Sequence, residues 1–355
     1  MFTKSLGRDA LEELFQRYAD VPYLNRFEFL VRPEKVEGQS TGLLVRNFRR
    51  NDEGETVDLA KITANILSEK QANKDGDRNW LVTITCPPEV IPELSELYAK
   101  DRSESICKYI AGRASIIEMR PHMKHEAIPS YFALLKDIIV DGLGMKPSVV
   151  YDVAKLTEFS DRTRLSRNFI CLEDAWNGDE YAQSLVDEGK DPTVNDVDVC
   201  GLVYMPPSIS NRGLQFRIRV KRERDDAGMP KDYRTKEGYD FVNVLVHDRT
   251  KAEELYMKVR QGHPVYVHGS AEPSKFWTTV KPKNLGKVAE LLEVPYDSMY
   301  IDRIRNFFAK SRADRPMLII PVINIWADEV ITDESAIRER VASFSEDNTD
   351  VEETE

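Results

Sequence analysis

Between Leu214 and Arg222 the chain alternates without a break. Leu214, Phe216, Ile218 and Val220 are apolar, and Gln215, Arg217, Arg219 and Lys221 between them are polar. A period of two places the two sets on opposite faces of a strand. The stretch therefore predicts a half-buried strand whose outward face is almost wholly cationic. Its flanks extend the pattern. A strand from Asp198 runs into the turn signal Pro206-Pro207 before it. After it come a polar loop with Gly228, Pro230 and Gly238, a third strand over 239–247 and a helix-compatible run over 251–260. Gln261-Gly262 stops that helix, and a fourth strand over 264–268 ends at Gly269. Strand, strand, strand, helix, strand is the order of a small Greek-key barrel.

The same stretch resembles the bacterial-type single-stranded DNA-binding protein (SSB) family. The resemblance is carried by Gly201 and Pro206-Pro207 after the first strand, by the basic strand RIRVKRER and by Asp240-Phe241 at the start of the third. The helix ending in VRQGHPVYVHG completes it. It covers about 196–280, with the fifth strand displaced to 317–331, so less than half of the chain is explained. The resemblance implies an α+β chain with a mainly-β core, built on an OB-fold, the five-stranded Greek-key barrel of SSB type. It also implies sequence-tolerant binding and protection of single-stranded DNA in replication, recombination or repair. The large insertions and the additional N-terminal unit depart from the compact housekeeping form and point to a bacteriophage or mobile-element version.

At 355 residues, roughly 150 per domain gives about two domains. No apolar run reaches the ~20 residues of a membrane-spanning helix. The N-terminal stretch is amphipathic and carries acids, unlike a secretory signal, so a cytoplasmic place in a bacterial or phage-infected host cell is expected. Cys86, Cys107, Cys171 and Cys200 are far apart and form no CxxC, which predicts small core residues, with neither zinc nor disulfides. The net charge of -11 argues against a chain that simply coats nucleic acid, but its distribution matters more. Arg212 to Arg224 carries six Lys or Arg against one acid, and Glu346 to Glu355 carries six acids and no base.

Four regions follow. Residues 1–125 predict an α+β domain with a helix over 4–20, strands near 27–32, 41–48, 56–68 and 80–85, a helix over 89–100 and a strand over 107–117. WLVTIT, ELSELYAK and KYIAGRASI parallel FVNVLVHD, AEELYMKV and PVYVHGSAE, so this domain is either a second, divergent OB-like unit or a generic α+β fold. Residues 126–195 read as a mainly helical connector. Residues 196–331 are the SSB-like barrel with an insertion at 271–316. Residues 332–355 are a short helix and a tail too polar to bury surface, expected to be disordered.

Arg217, Arg219, Lys221, Arg222 and Arg224 are the candidate phosphate track, since Lys and Arg neutralise backbone charge and release counterions. Single strands also need stacking platforms. The SSB resemblance places candidates for these at Tyr233, Phe241 and Phe276 or Trp277, with Tyr266 a further ring. Each ring is as well suited to a core as to a platform. Where the family has a tryptophan after strand two, this chain has Glu223-Arg224. A second basic cluster, Arg46, Arg49 and Arg50 with Phe48, reads more simply as a charged hairpin end. His122 and His125 form HxxH, but two ligands do not make a zinc site. No nucleophile elbow, P-loop or GxGxxG occurs, so a binding protein without catalysis, cofactor or metal is expected. A nuclease with dispersed carboxylates would leave no spacing to read. The acidic tail resembles SSB tails that recruit replication or recombination proteins, yet it ends in Glu353-Thr354-Glu355 rather than a hydrophobic tip. An RNA-binding OB protein and an OB scaffold that binds proteins are the rival readings; a homo-oligomer is compatible with all three.

Overall fold

The structure is a computed structural model and describes residues 5–33, 43–49, 56–67, 79–100, 104–119, 129–157, 167–222, 238–279, 284–309 and 317–346. The chain opens with helix α1 (Arg8–Arg17), followed by β1 (Leu24–Pro33), β2 (Leu44–Arg49), β3 (Thr56–Leu67) and β4 (Asn79–Cys86). Helix α2 (Ile91–Glu96) leads to β5 (Ile110–Met119). Helix α3 (Pro129–Lys136), a π-helical turn at Asp137–Gly142 and α4 (Ser148–Leu156) precede β6 (Arg167–Asn177). Five of these strands close a ring. β1 pairs antiparallel with β3 and β5, β3 with β4, and β5 with β6, while β4 and β6 pair in parallel. That is the connectivity of an OB barrel, with β2 an added strand against β3.

The second half repeats the plan. After α5 (Asp179–Asp187) come β7 (Val194–Ser210), β8 (Gly213–Lys221), β9 (Tyr239–Val246), α6 (Arg249–Lys258) and β10 (Pro264–Thr279). Helices α7 (Leu285–Leu291) and α8 (Met299–Ala309) precede β11 (Met317–Ile331) and α9 (Glu334–Glu346). β7–β8, β8–β9 and β7–β10 are antiparallel, β9–β11 is parallel, and β10 lies beside β11. On β8, Leu214, Phe216, Ile218 and Val220 are all buried, so the period of two does divide core from surface.

The stretch 126–195, expected to be a helical connector, therefore holds the strand that closes the first barrel. β6 did not read as a strand because its alternation fails. Arg113 pairs with Asp174 but Ala114 pairs with Leu172, leaving Glu173 as a bulge. Ile170, Cys171 and Leu172 are buried in succession. β10 also exceeds its expected end at 268 and runs on to Thr279.

β1 and β7 join the barrels as an antiparallel pair centred on Phe27 opposite Val197, with Asn25 opposite Val199 and Phe29 opposite Asn195. The register is symmetric about that centre, so a local two-fold relates the first strands. Asn25 and Asn195 occupy equivalent places and do the same work. Asn25 exchanges two hydrogen bonds of 2.9 Å with the Ile116 backbone, and Asn195 two of 2.8 and 3.2 Å with the Ala271 backbone. Each amide stands in for a strand residue and extends the ladder to the barrel's fourth strand. The helices after each barrel match too: Ala182 of α5 packs with Leu30 and Ala111, and Ile337 of α9 with Cys200 and Tyr266. All four cysteines are free and buried.

The two insertions, each placed between a barrel's fourth and fifth strands, form a separate compact unit, residues 120–166 with 275–321. Tyr131 of α3 packs its ring 5.7 Å from that of Phe307 of α8, and its hydroxyl donates to Thr157 at 2.9 Å. Asn284, preceding α7, donates to the Leu156 carbonyl at 3.1 Å. Among the described residues no helix is long and apolar enough to cross a membrane.

Gly201 allows β7 to approach β8, because a Cβ there would lie 2.3 Å from the Arg219 carbonyl oxygen. Gly201→Ala is predicted to destabilise the chain by ~1–3 kcal/mol in urea unfolding, the usual cost of overpacking. Gly286→Ala, on α7 with open space around it, is the control and should leave stability unchanged or raised.

Candidate nucleic-acid interface

The outer face of β8 and β9 belongs to strands two and three of the second barrel, the face on which OB folds take oligonucleotides. Rings and guanidinium groups alternate across it. Tyr204 of β7 meets Phe241 edge-on, with centroids 4.5 Å apart. The Arg217 guanidinium lies 5.3 Å from the Phe241 ring centre. Arg219 meets two rings, 3.6 Å from that of Tyr239 and 4.3 Å from that of Phe15 of α1. Lys221 is exposed.

The first barrel supplies acids to the same face. Glu118, at the end of β5, is buried and pairs with Arg217. Its backbone N–H donates to the buried Asp240 carboxylate at 2.8 Å, and Arg222 donates to that carboxylate at 3.0 and 3.1 Å. Burial pushes the Asp240 carboxyl above its usual range, and Arg222 offsets only part of that. Beside Glu118, its cross-strand neighbour Asn168 donates to the Phe241 carbonyl at 2.7 Å and accepts from the Asn243 N–H at 3.0 Å. Those two backbone groups lie on the edge of β9 just short of its pairing with β11 at Val244 and Leu245. The Asn168 amide thus completes the ladder from the other barrel.

The predicted residues fall into distinct places. Arg217 and Arg222 are mostly buried and joined to acids, so their charge is engaged within the protein. Arg219 is held against rings, and Lys221 is open to solvent. Phe241 is 5% exposed and Tyr266 0%, so neither ring presents a free face in this structure. Phe276 and Trp277 belong to β10, with side chains outside the described residues. Arg224, Tyr233, the pair His122 and His125, Arg50 and the tail from 347 onward also lie outside the described residues. Among the described residues no cluster of His, Cys, Asp and Glu is placed to hold a metal.

Phe15, Tyr204, Glu118 and Asn168 were not singled out from sequence. Phe15 was legible only as part of an amphipathic helix face. Nothing in a polar residue at a strand end shows that it reaches another barrel. In the first barrel, register equates Arg217 and Arg219 with the uncharged Thr63 and Asn65 of β3.

Tyr266 has a different role. Its hydroxyl donates to Asp198, which also meets His268 Nδ1 at 3.0 Å, and Arg340 of α9 donates to the Tyr266 oxygen at 3.1 Å. Burial alone would raise the Asp198 carboxyl, but bonds from His268 and Tyr266 more than reverse this and hold it below its usual value. The bond to Asp198 raises the His268 imidazole against an opposing effect of burial.

No family model matches the chain, and neither does any curated protein. Among solved structures, it is similar to the wild-type single-stranded DNA binding protein of Thermus aquaticus, with TM-score 0.37 and 11% identity, over 71% of this chain and 86% of that one. A deletion variant of the same Thermus aquaticus protein gives TM-score 0.37 at 11% identity over 71% and 88%. A Plasmodium falciparum SSB in complex with ssDNA gives TM-score 0.21 at 18% identity over 39% and 91%.

The Asp198–His268 pair predicts a pH dependence of stability. With the His268 pKa raised, its contribution is full below the unfolded value near 6.5 and is lost as pH rises through the folded value. With Asp198 lowered, its contribution is present above the unfolded value near 3.8 and is lost as pH falls through the folded value. The thermal midpoint should therefore decline on the alkaline side of pH 6.5, and His268→Gln should flatten that decline. An identical slope in the variant would show that the pair does not contribute.

Proposed function

We propose that the chain binds single-stranded DNA, sequence-tolerantly and without catalysis, using both OB barrels as the frame. Charge placement carries this reading. Four segments of the sequence, 120–128, 158–166, 275–283 and 310–316, hold ten Lys or Arg against four acids in a chain of net charge -11. Phe276 and Trp277 stand in the third of these. Cations beside aromatic rings suit a flexible polyanion with unstacked bases, because phosphates release counterions and rings accept any base. Arg219, Tyr239 and Lys221 add to this set from the second barrel. The roles proposed for the protein are those in which single strands arise: replication, recombination and repair.

A fluorescent dT oligomer titrated at several salt concentrations tests the reading. Affinity should exceed that for duplex DNA and fall steeply with salt. Equal affinity for duplex and single strand would remove the proposal, and preference for the matching RNA oligomer would replace DNA with RNA as the ligand.

The acidic tail is proposed to compete for the same cations. A tethered polyanion acts at high effective concentration, of mM order for short flexible linkers. Removing 347–355 should tighten dT binding most at low salt, with the gain fading as charges are screened. Superimposable isotherms at low salt would assign the tail no part in binding.

A further inference from the structure

The ligand face of the second barrel is covered by the chain's own N-terminal helix. Phe15 of α1 is 6% exposed, and its ring lies against the same Arg219 guanidinium that Tyr239 meets. It is also stacked at 13° to Tyr204, with centroids 6.4 Å apart. Arg219 makes no ion pair among the described residues. A guanidinium held only by rings is a stacking surface, and a planar guanidinium stacks on nucleobases as it does on aromatic side chains. The ring of Phe15 therefore occupies a place that a base would fit.

The cover is held without sheet pairing. Among the ten residues of α1, Phe15 is the buried one, and Gly7 gives the helix no side-chain cap. The remaining contacts are made by side chains and one loop amide: Leu14 lies against Gly262, Tyr18 packs on the cluster of Val21, Cys200 and Tyr266 and lies 5.5 Å from the His263 ring, and Leu6 N–H donates to Gln261 Oε1 at 2.8 Å. A helix of this length is marginal in water by itself, so α1 depends on docking. Glu118 and Asn168 also reach this face, but they belong to strands of a closed barrel. Of the groups covering Arg219, α1 is the one that can leave without opening a sheet.

We propose that Arg219 and Tyr239 form a nucleobase subsite, that Phe15 fills it in the free chain, and that a single strand takes the subsite by displacing α1. This rests on the single-stranded DNA reading above. Ligand and helix compete for one surface, so loosening the helix strengthens binding, and ligand loosens the helix.

Two measurements on the full chain test this. Amide hydrogen exchange over 8–17, followed with and without saturating dT oligomer, should show protection in the free chain and faster exchange in the complex. Phe15→Ala should bind the oligomer roughly 5-fold or more tighter, the reciprocal of a stacking contact, and Tyr239→Ala should bind more weakly than the parent. If the parent binds dT while 8–17 stays as protected as before, α1 is a fixed part of the fold and the subsite is wrong, although the DNA reading stands. Binding by Phe15→Ala but not by the parent supports both. Binding by neither overturns both.

Discussion

The antiparallel ladder between β1 and β7 is the contact on which the rest of the molecule depends. It joins two closed barrels through their first strands and makes one eleven-strand sheet of them. Backbone pairing at this seam needs no particular side chain, which is how two barrels with little common sequence keep a symmetric register around Phe27 and Val197. Each barrel then adds the same device, an asparagine amide that prolongs the ladder to its fourth strand.

Once the seam is made, the asymmetry between the barrels acquires a function. The first barrel brings Glu118 and Asn168 to the edge of β9, and the second answers with Arg217, Arg222 and Asp240. Burying such groups is costly unless each is paired, and here the acids and guanidinium groups pair, with Arg217 Nε left as a buried donor that makes no hydrogen bond. Two cations of β8 and its end therefore belong to the junction. Arg219 and Lys221 lie outside that junction, the first of them beneath Phe15.

Local pattern was legible where burial alone decided it. The alternation from Leu214 to Val220 marked a strand correctly, the amphipathic stretch over 4–20 marked the helix found at Arg8–Arg17, and the order of elements marked an OB barrel in the second half. Long-range partnership was not legible. A cation facing solvent and a cation facing a carboxylate ninety-nine residues away in sequence, as in Arg217 and Glu118, have the same local pattern. β6 was missed because one bulged residue, Glu173, removes the period of two on which strand reading rests. Tyr266 shows the same limit from the other side: an aromatic on a strand suggests a platform until Asp198 is seen to hold its hydroxyl inside.

On the proposed reading, Arg217 and Arg222 hold the barrels together, and Arg219 and Lys221 are left to meet DNA. The most direct test is Arg217→Ala, measured for both urea unfolding and the salt dependence of dT binding. This assignment predicts a lower unfolding midpoint, since the buried Glu118 loses its ion pair with Arg217, and an unchanged salt slope. A slope reduced by about one with the midpoint unchanged would contradict it, returning Arg217 to the phosphate track.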